Sequence, residues 1–172
     1  MATSVAAWFD EQYLTVLFSG ADDHIVANYT NHDDPLYEED VVEVFLAPER
    51  LTRYFEFEVS PRGITFDALI DSPDGVRSTM HADRAWTCDG MLALVRVVTE
   101  SDGARVFDVV LRIPFESLER ATPRDGETWR ANFYRIDRHP EHGSEFSAWQ
   151  PTMKTPADFH VAAAFGTIKF VA

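Results

Sequence analysis

Hydrophobic and polar positions alternate with period two along much of the chain. In the run 53–59, Phe55, Phe57 and Val59 fall on one parity while Glu56 and Glu58 fall on the other, the pattern of a strand with one buried face. In 129–135, Trp129, Ala131 and Phe133 share a parity that would also carry Arg135 inward. An inward arginine needs a carboxylate, and Glu43 or Glu56 is the expected partner. The run 105–113 is apolar at Phe107, Val109, Leu111 and Ile113 and is broken by Asp108 and Arg112 on the opposite parity. Further β-branched and aromatic runs lie at 13–18, 25–29, 41–46, 64–70, 91–98 and 166–171. Asp-Gly pairs at Asp74-Gly75, Asp89-Gly90, Asp102-Gly103 and Asp125-Gly126 supply turn chemistry between such runs.

Helical periodicity is confined to 114–121 and to a further turn within 157–164. The expected fold class is therefore all-β. Two antiparallel sheets should form a sandwich with jelly-roll or immunoglobulin-like layering and one or two short helical turns. Phe55, Phe57, Val59, Val109, Leu111, Trp129 and Phe133 are its expected core. With no repeat, linker or low-complexity tract, residues 1–172 read as one domain.

Charge narrows the partners. The chain carries a formal charge of -14, and its first 49 residues hold 11 acids and no Lys or Arg. Nucleic acid and anionic membrane surfaces are poor partners for such a surface. The acids cluster from Asp22 to Glu43, and Asp22, Asp23, Asp33 and Asp34 sit in predicted turns where carboxylates could converge on a hard cation such as Ca²⁺. Nothing approaches 18 consecutive apolar residues, so no membrane span is expected. The N-terminal stretch lacks a basic n-region, which argues against a signal peptide; the expected location is secreted or periplasmic if the chain has been trimmed and cytoplasmic otherwise. The single cysteine, Cys88, lies in an apolar stretch and is expected to be a buried thiol.

Nucleophile elbows, phosphate loops and zinc-protease motifs are missing. Glu43 and Glu56, on consecutive predicted strands, leave a carboxylate-dependent glycan-active enzyme as a minor alternative. A sugar site is the stronger reading. Aromatic rings stack on the apolar faces of pyranoses while Asn, Glu and Arg side chains bond the hydroxyls. The loop aromatics Tyr37 and Trp149, with Asn132 and Arg135 on the strand before Trp149, have that chemistry. A structural or protein-interaction sandwich without a sugar ligand is the other alternative.

Four stretches carry a resemblance. They are Asp34-Pro35-Leu36-Tyr37 running on to Leu46, Tyr54-Phe55-Glu56-Phe57-Glu58-Val59-Ser60-Pro61-Arg62-Gly63, Trp129-Arg130-Ala131-Asn132-Phe133-Tyr134-Arg135-Ile136, and Phe146-Ser147-Ala148-Trp149-Gln150-Pro151-Thr152 with the later Phe159-His160 and Phe165-Gly166. In this order the chain resembles the carbohydrate-binding module family 9-like domains, related to DOMON-type β-sandwiches. The resemblance implies a non-catalytic module that clamps an oligo- or polysaccharide of xylan or glucan type between two aromatic rings, with bound calcium elsewhere. It implies Tyr37 and Trp149 as the clamp and Glu43, Glu56, Asn132 and Arg135 as the polar surround. Tyr37 stands where the family commonly has Trp, and the proline two residues after the family's histidine is Ala162 here.

Overall fold

In the computed structural model, which describes residues 2–99 and 105–172, the chain is all-β. The strands are β1 (Thr3–Phe9), β2 (Tyr13–Asp22), β3 (Val41–Arg50), β4 (Arg53–Val59), β5 (Thr65–Asp71), β6 (His81–Asp83), β7 (Leu92–Thr99), β8 (Arg105–Pro114), β9 (Thr128–His139), β10 (Gly143–Ala148) and β11 (Gly166–Lys169). One sheet runs β1-β2-β8-β7; the other runs β10-β9-β3-β4-β5-β6, with β11 also on β9. Every pairing is antiparallel.

Most of the alternating runs form strands close to their expected bounds; 25–29 does not. There the backbone donors are taken by carboxylates instead of a neighbouring strand: Val26 N–H donates to Asp40, and the N–H groups of Asn28 and Tyr29 donate to Glu39. The predicted helices contract to 3₁₀ turns at Glu116–Leu118 and Ala162–Ala164, the first stopped by Glu119 at φ 55°. Gly75, Gly90 and Gly126 all take positive φ, as their Asp-Gly turns require. The pair Asp102-Gly103 lies outside the described residues.

Between the sheets, Phe57, Val59, Val109, Leu111, Trp129 and Phe133 are buried, with Phe55 packed against them. Cys88 is buried among them, and burial pushes its thiol up to about 12. The larger sheet is also covered on its outer side. Val41, Phe45, Tyr54, Phe66, Ala68, Ile70, Tyr134 and Ile136 pack there under Leu36, Ala162 and Phe165. Strand β3 is consequently buried at every position from Val41 to Ala47, which explains why its sequence shows no clean alternation.

Arg135 does point inward, but its partners are neither Glu43 nor Glu56. Both glutamates lie on the opposite parity of the sheet and so on its outer face. The guanidinium reaches across to Asp22 at 2.9 Å and to Asp137 at 2.8 Å, and also donates to Thr3 Oγ1 and the Ala21 carbonyl. It lies over the Phe107 ring at 4.6 Å. Removing it would leave two buried carboxylates without the guanidinium that they share. Arg135→Met is expected to cost about 3–5 kcal/mol in denaturant unfolding, with part of the loss recovered in Arg135→Met/Asp22→Leu. An unchanged midpoint in the single variant would contradict this role.

Candidate functional site

The outer face of the larger sheet carries three glutamates where apolar residues would ordinarily sit. Glu43 on β3 stands directly opposite Glu58 on β4, and Glu56 lies two residues from Glu58 on the same face. All three are buried, and their carboxylate oxygens come within 4.8 Å of one another. Glu43 Oε1 has no hydrogen-bond partner, and the Glu58 carboxyl has only that of Glu56 to bond with. Glu43 and Glu56 open onto a cleft of about 290 Å³, and Glu58 lies behind them.

The cleft is walled by rings. Tyr37, on the 3₁₀ turn Leu36–Glu38, meets Phe66 edge to face at 6.2 Å, and its hydroxyl accepts a hydrogen bond from Arg84 at 2.9 Å. Phe159 stacks on Tyr134 at 4.1 Å, and Phe146 meets Phe159 edge-on. Arg77, Met80, Asp158 and His160 also line it. Arg138 ties the walls together: it donates to the Tyr37 carbonyl and to Ser144 Oγ and lies under the Phe146 ring at 5.1 Å.

Burial dominates the electrostatics of the floor. It lifts Glu43 and Glu58 well above the usual carboxylate range, with mutual repulsion adding to the effect, and lifts Glu56 to about 7. His160 lies 3.6 Å from Glu56 and its Nδ1 is 2.9 Å from the Tyr54 hydroxyl. Burial pushes His160 down to about 3, so the imidazole is neutral at pH 7. Protonated carboxyls can donate as well as accept, so the floor offers both halves of a hydrogen bond to a hydroxylated ligand.

The six expected sugar-contact residues separate into three groups. Tyr37, Glu43 and Glu56 line this cleft. Trp149 and Arg135 line a different hollow of about 320 Å³ beside β1, with Thr3, Val5, Phe18 and Phe133. Trp149 rests on Phe133 at 5.5 Å, and its ring fills the space that a Cβ on Gly166 would need. Tyr37 and Trp149 therefore do not share a cleft. Asn132 lines neither: it is fully buried, bonding the Tyr134 hydroxyl and both the N–H and the carbonyl of Gln150, which pins the following loop. Phe146 and Phe159-His160 fall within the motif stretches, but a sequence does not show which face a loop ring will cover. Arg77 and Arg84 carried no signal.

The four aspartates expected to converge on calcium do not assemble one site. Asp22 is engaged by Arg135, Asp23 lies 3.7 Å from His139, and Asp34 accepts the N–H groups of Thr30 and Asn31. Asp33 groups instead with His32 and Asp67.

An outer-face cleft with aromatic walls and a polar floor is the kind of surface on which a β-sandwich module holds a sugar. The sequence profile of carbohydrate-binding family 9 matches residues 6–170, and the chain belongs to that family, one of non-catalytic carbohydrate-binding modules. A relative from Arthroderma benhamiae, named only as an extracellular protein, is 28% identical over 148 residues, covering 81% of this chain. The chain spans 64% of the length of that relative. A solved protein from Bacteroides uniformis, provisionally named carbohydrate-binding, superposes with a TM-score of 0.78 at 20% identity, over 98% of this chain and 78% of that one. A family 9 module from Caldicellulosiruptor kristjanssonii, solved in complex with cellotriose, gives a TM-score of 0.66 at 14% identity, over 99% of this chain and 76% of its own. At these identities the two structures establish the shared fold.

The buried floor makes stability depend on pH. Glu56 is raised from 4.5 to about 7 on folding, so between those values the folded chain holds a proton that the unfolded chain has lost. Its contribution is fully present below pH 4.5 and is lost as pH rises towards 7. His160, lowered from 6.5 to about 3, contributes stability that is lost as pH falls through that interval. Comparing wild type with Glu56→Gln separates the two. The variant is expected to gain about 1–3 kcal/mol relative to wild type between pH 5 and pH 8 in denaturant titrations. A constant difference across that range would refute the buried-carboxyl account.

Proposed function

We propose that this chain binds an oligosaccharide of β-linked gluco- or xylo-configured sugars in the cleft lined by Tyr37, Glu43, Glu56, Phe146, Phe159 and His160. The observation that carries the reading is the pairing of an aromatic wall with a floor of two buried carboxyls, of which Glu43 has an oxygen without a hydrogen-bond partner. Sugars with equatorial hydroxyls present flat apolar ring faces for the rings and an edge of hydroxyls for Glu43 and Glu56. An unpartnered buried carboxyl is costly, and a hydroxyl that bonds it removes that cost. Family membership supports carbohydrate binding in general, and the cellotriose complex of the Caldicellulosiruptor module supports starting with β-1,4-linked glucose.

The aromatic contact in this reading is made by Tyr37 on one wall and Phe159 with Phe146 on the other, in place of a Tyr37–Trp149 clamp. Arg77 and Arg84, at the rim, bond further hydroxyls. Calorimetric titration with cellotriose and xylotriose tests the assignment. Tyr37→Ala and Phe159→Ala are each expected to weaken binding at least about tenfold, and Trp149→Ala to leave it within about twofold. Loss of binding in Trp149→Ala alone would move the site to the hollow beside β1. No binding of either sugar by the wild-type chain would overturn the proposal.

A further inference from the structure

The second cluster of ionisable groups lies away from the cleft floor, where the loop before Tyr37 meets the start of β5. His32 Nδ1 is 2.9 Å from the Thr65 carbonyl and 3.0 Å from Thr65 Oγ1. The carbonyl can only accept, so Nδ1 carries the proton and Nε2 presents its lone pair. That lone pair faces two carboxylate oxygens, Asp33 Oδ1 at 3.3 Å and Asp67 Oδ2 at 3.9 Å. Neither oxygen has a hydrogen-bond partner. The Asp67 side chain is 1% exposed, and its other oxygen is held by the Cys88 N–H. Asp33 is fixed by its own N–H, which donates to the same Thr65 carbonyl.

Three electron-pair donors thus converge within 4.8 Å of one another. Bonds of about 2.0–2.2 Å to one ion put neighbouring ligand atoms roughly 2.8–3.6 Å apart, which brackets the His32–Asp33 separation and leaves the His32–Asp67 one about 0.3 Å to close. An imidazolium would not serve as well, because no Nε2–H hydrogen bond to either oxygen is formed. Asp33 and Asp89 both bear on Asp67, and the basic group among the charges acting on it is His32 itself. The His32 side chain is 43% exposed and that of Asp33 33%, so an ion can enter and water can complete its shell.

We propose that His32, Asp33 and Asp67 form a divalent metal site for a transition ion of the zinc or manganese kind. One imidazole and two carboxylates neutralise such an ion, and the imidazole disfavours calcium, which takes six or more oxygens. The site stands independently of the sugar reading. The histidines around His139 provide a contrast. His139 Nδ1 accepts the N–H groups of Glu141 and His142, which leaves the proton on Nε2, towards Asp23. That ring offers no free lone pair.

Calorimetry and thermal melting at pH 7.5, with Zn²⁺, Mn²⁺ and Ca²⁺ added separately to chelator-treated protein, test the assignment. One Zn²⁺ per chain is expected, with a rise of about 5–10 °C in Tm at a free concentration 100 times Kd. His32→Ala and Asp67→Asn should each weaken zinc binding at least about tenfold, and His139→Ala should leave it unchanged. His32 sits in an exposed loop, so its variant keeps the test decisive if Asp67→Asn does not fold. Zinc binding that survives His32→Ala, disappears in His139→Ala, or is exceeded by the Ca²⁺ shift would overturn the proposal.

Discussion

The larger sheet is buried on both faces, and the rest of the molecule answers to that. A sandwich sheet usually leaves its outer face to water; here two irregular segments, the one leading into β3 and the one following β10, lie across it. Irregular backbone near a core must satisfy its own N–H groups, because it has no ladder to do so. Acidic side chains perform this service. Asp40 receives the N–H groups of Val26 and Arg138, Glu39 those of Asn28 and Tyr29, and Asp34 those of Thr30 and Asn31. Three of the 11 acids in the first 49 residues are therefore acceptors that hold the backbone of the segment leading into β3.

The glutamates on the cleft floor are the exception, since they meet one another instead of backbone donors. Their burial is tolerable because a protonated carboxyl avoids most of the desolvation penalty of a charge. It also divides the face chemically. Phe45, Tyr54 and Tyr134 pack tightly against Phe165 and Phe159, and the polar cluster beside them remains the part that can accept a hydroxylated guest.

Period-two alternation made the inward set legible, because Phe55, Phe57, Trp129 and Phe133 really do have a polar or loop-covered side opposite them. The same logic assigned Glu56 and Glu58 to a shared face, correctly, but could not tell that loops would bury that face. Arg135 was readable as an inward cation in need of an acid, yet its partner Asp22 is 113 residues away across the interior. The parity of 53–59 already set Glu56 on the opposite face, whereas Glu43, on a strand without clean alternation, is placed there by its register with Glu58. The make-up of the aromatic wall was the least legible part. Trp149 and Phe159 both follow β10, and only the three-dimensional course of that segment, anchored by Asn132 to Gln150, decides which ring reaches the cleft.

Arg138 has a consequence for how the cleft would meet the sugar proposed for it. One guanidinium holds the backbone beside Tyr37, a hydroxyl on β10 and the face of Phe146 together. The spacing of the walls is thus set by covalent bond lengths within a single side chain before any guest arrives. Ordering entropy is lost during folding and need not be lost again on association. Such a cleft discriminates by rejecting shapes that do not fit, and residence time, more than encounter rate, should separate good guests from poor ones.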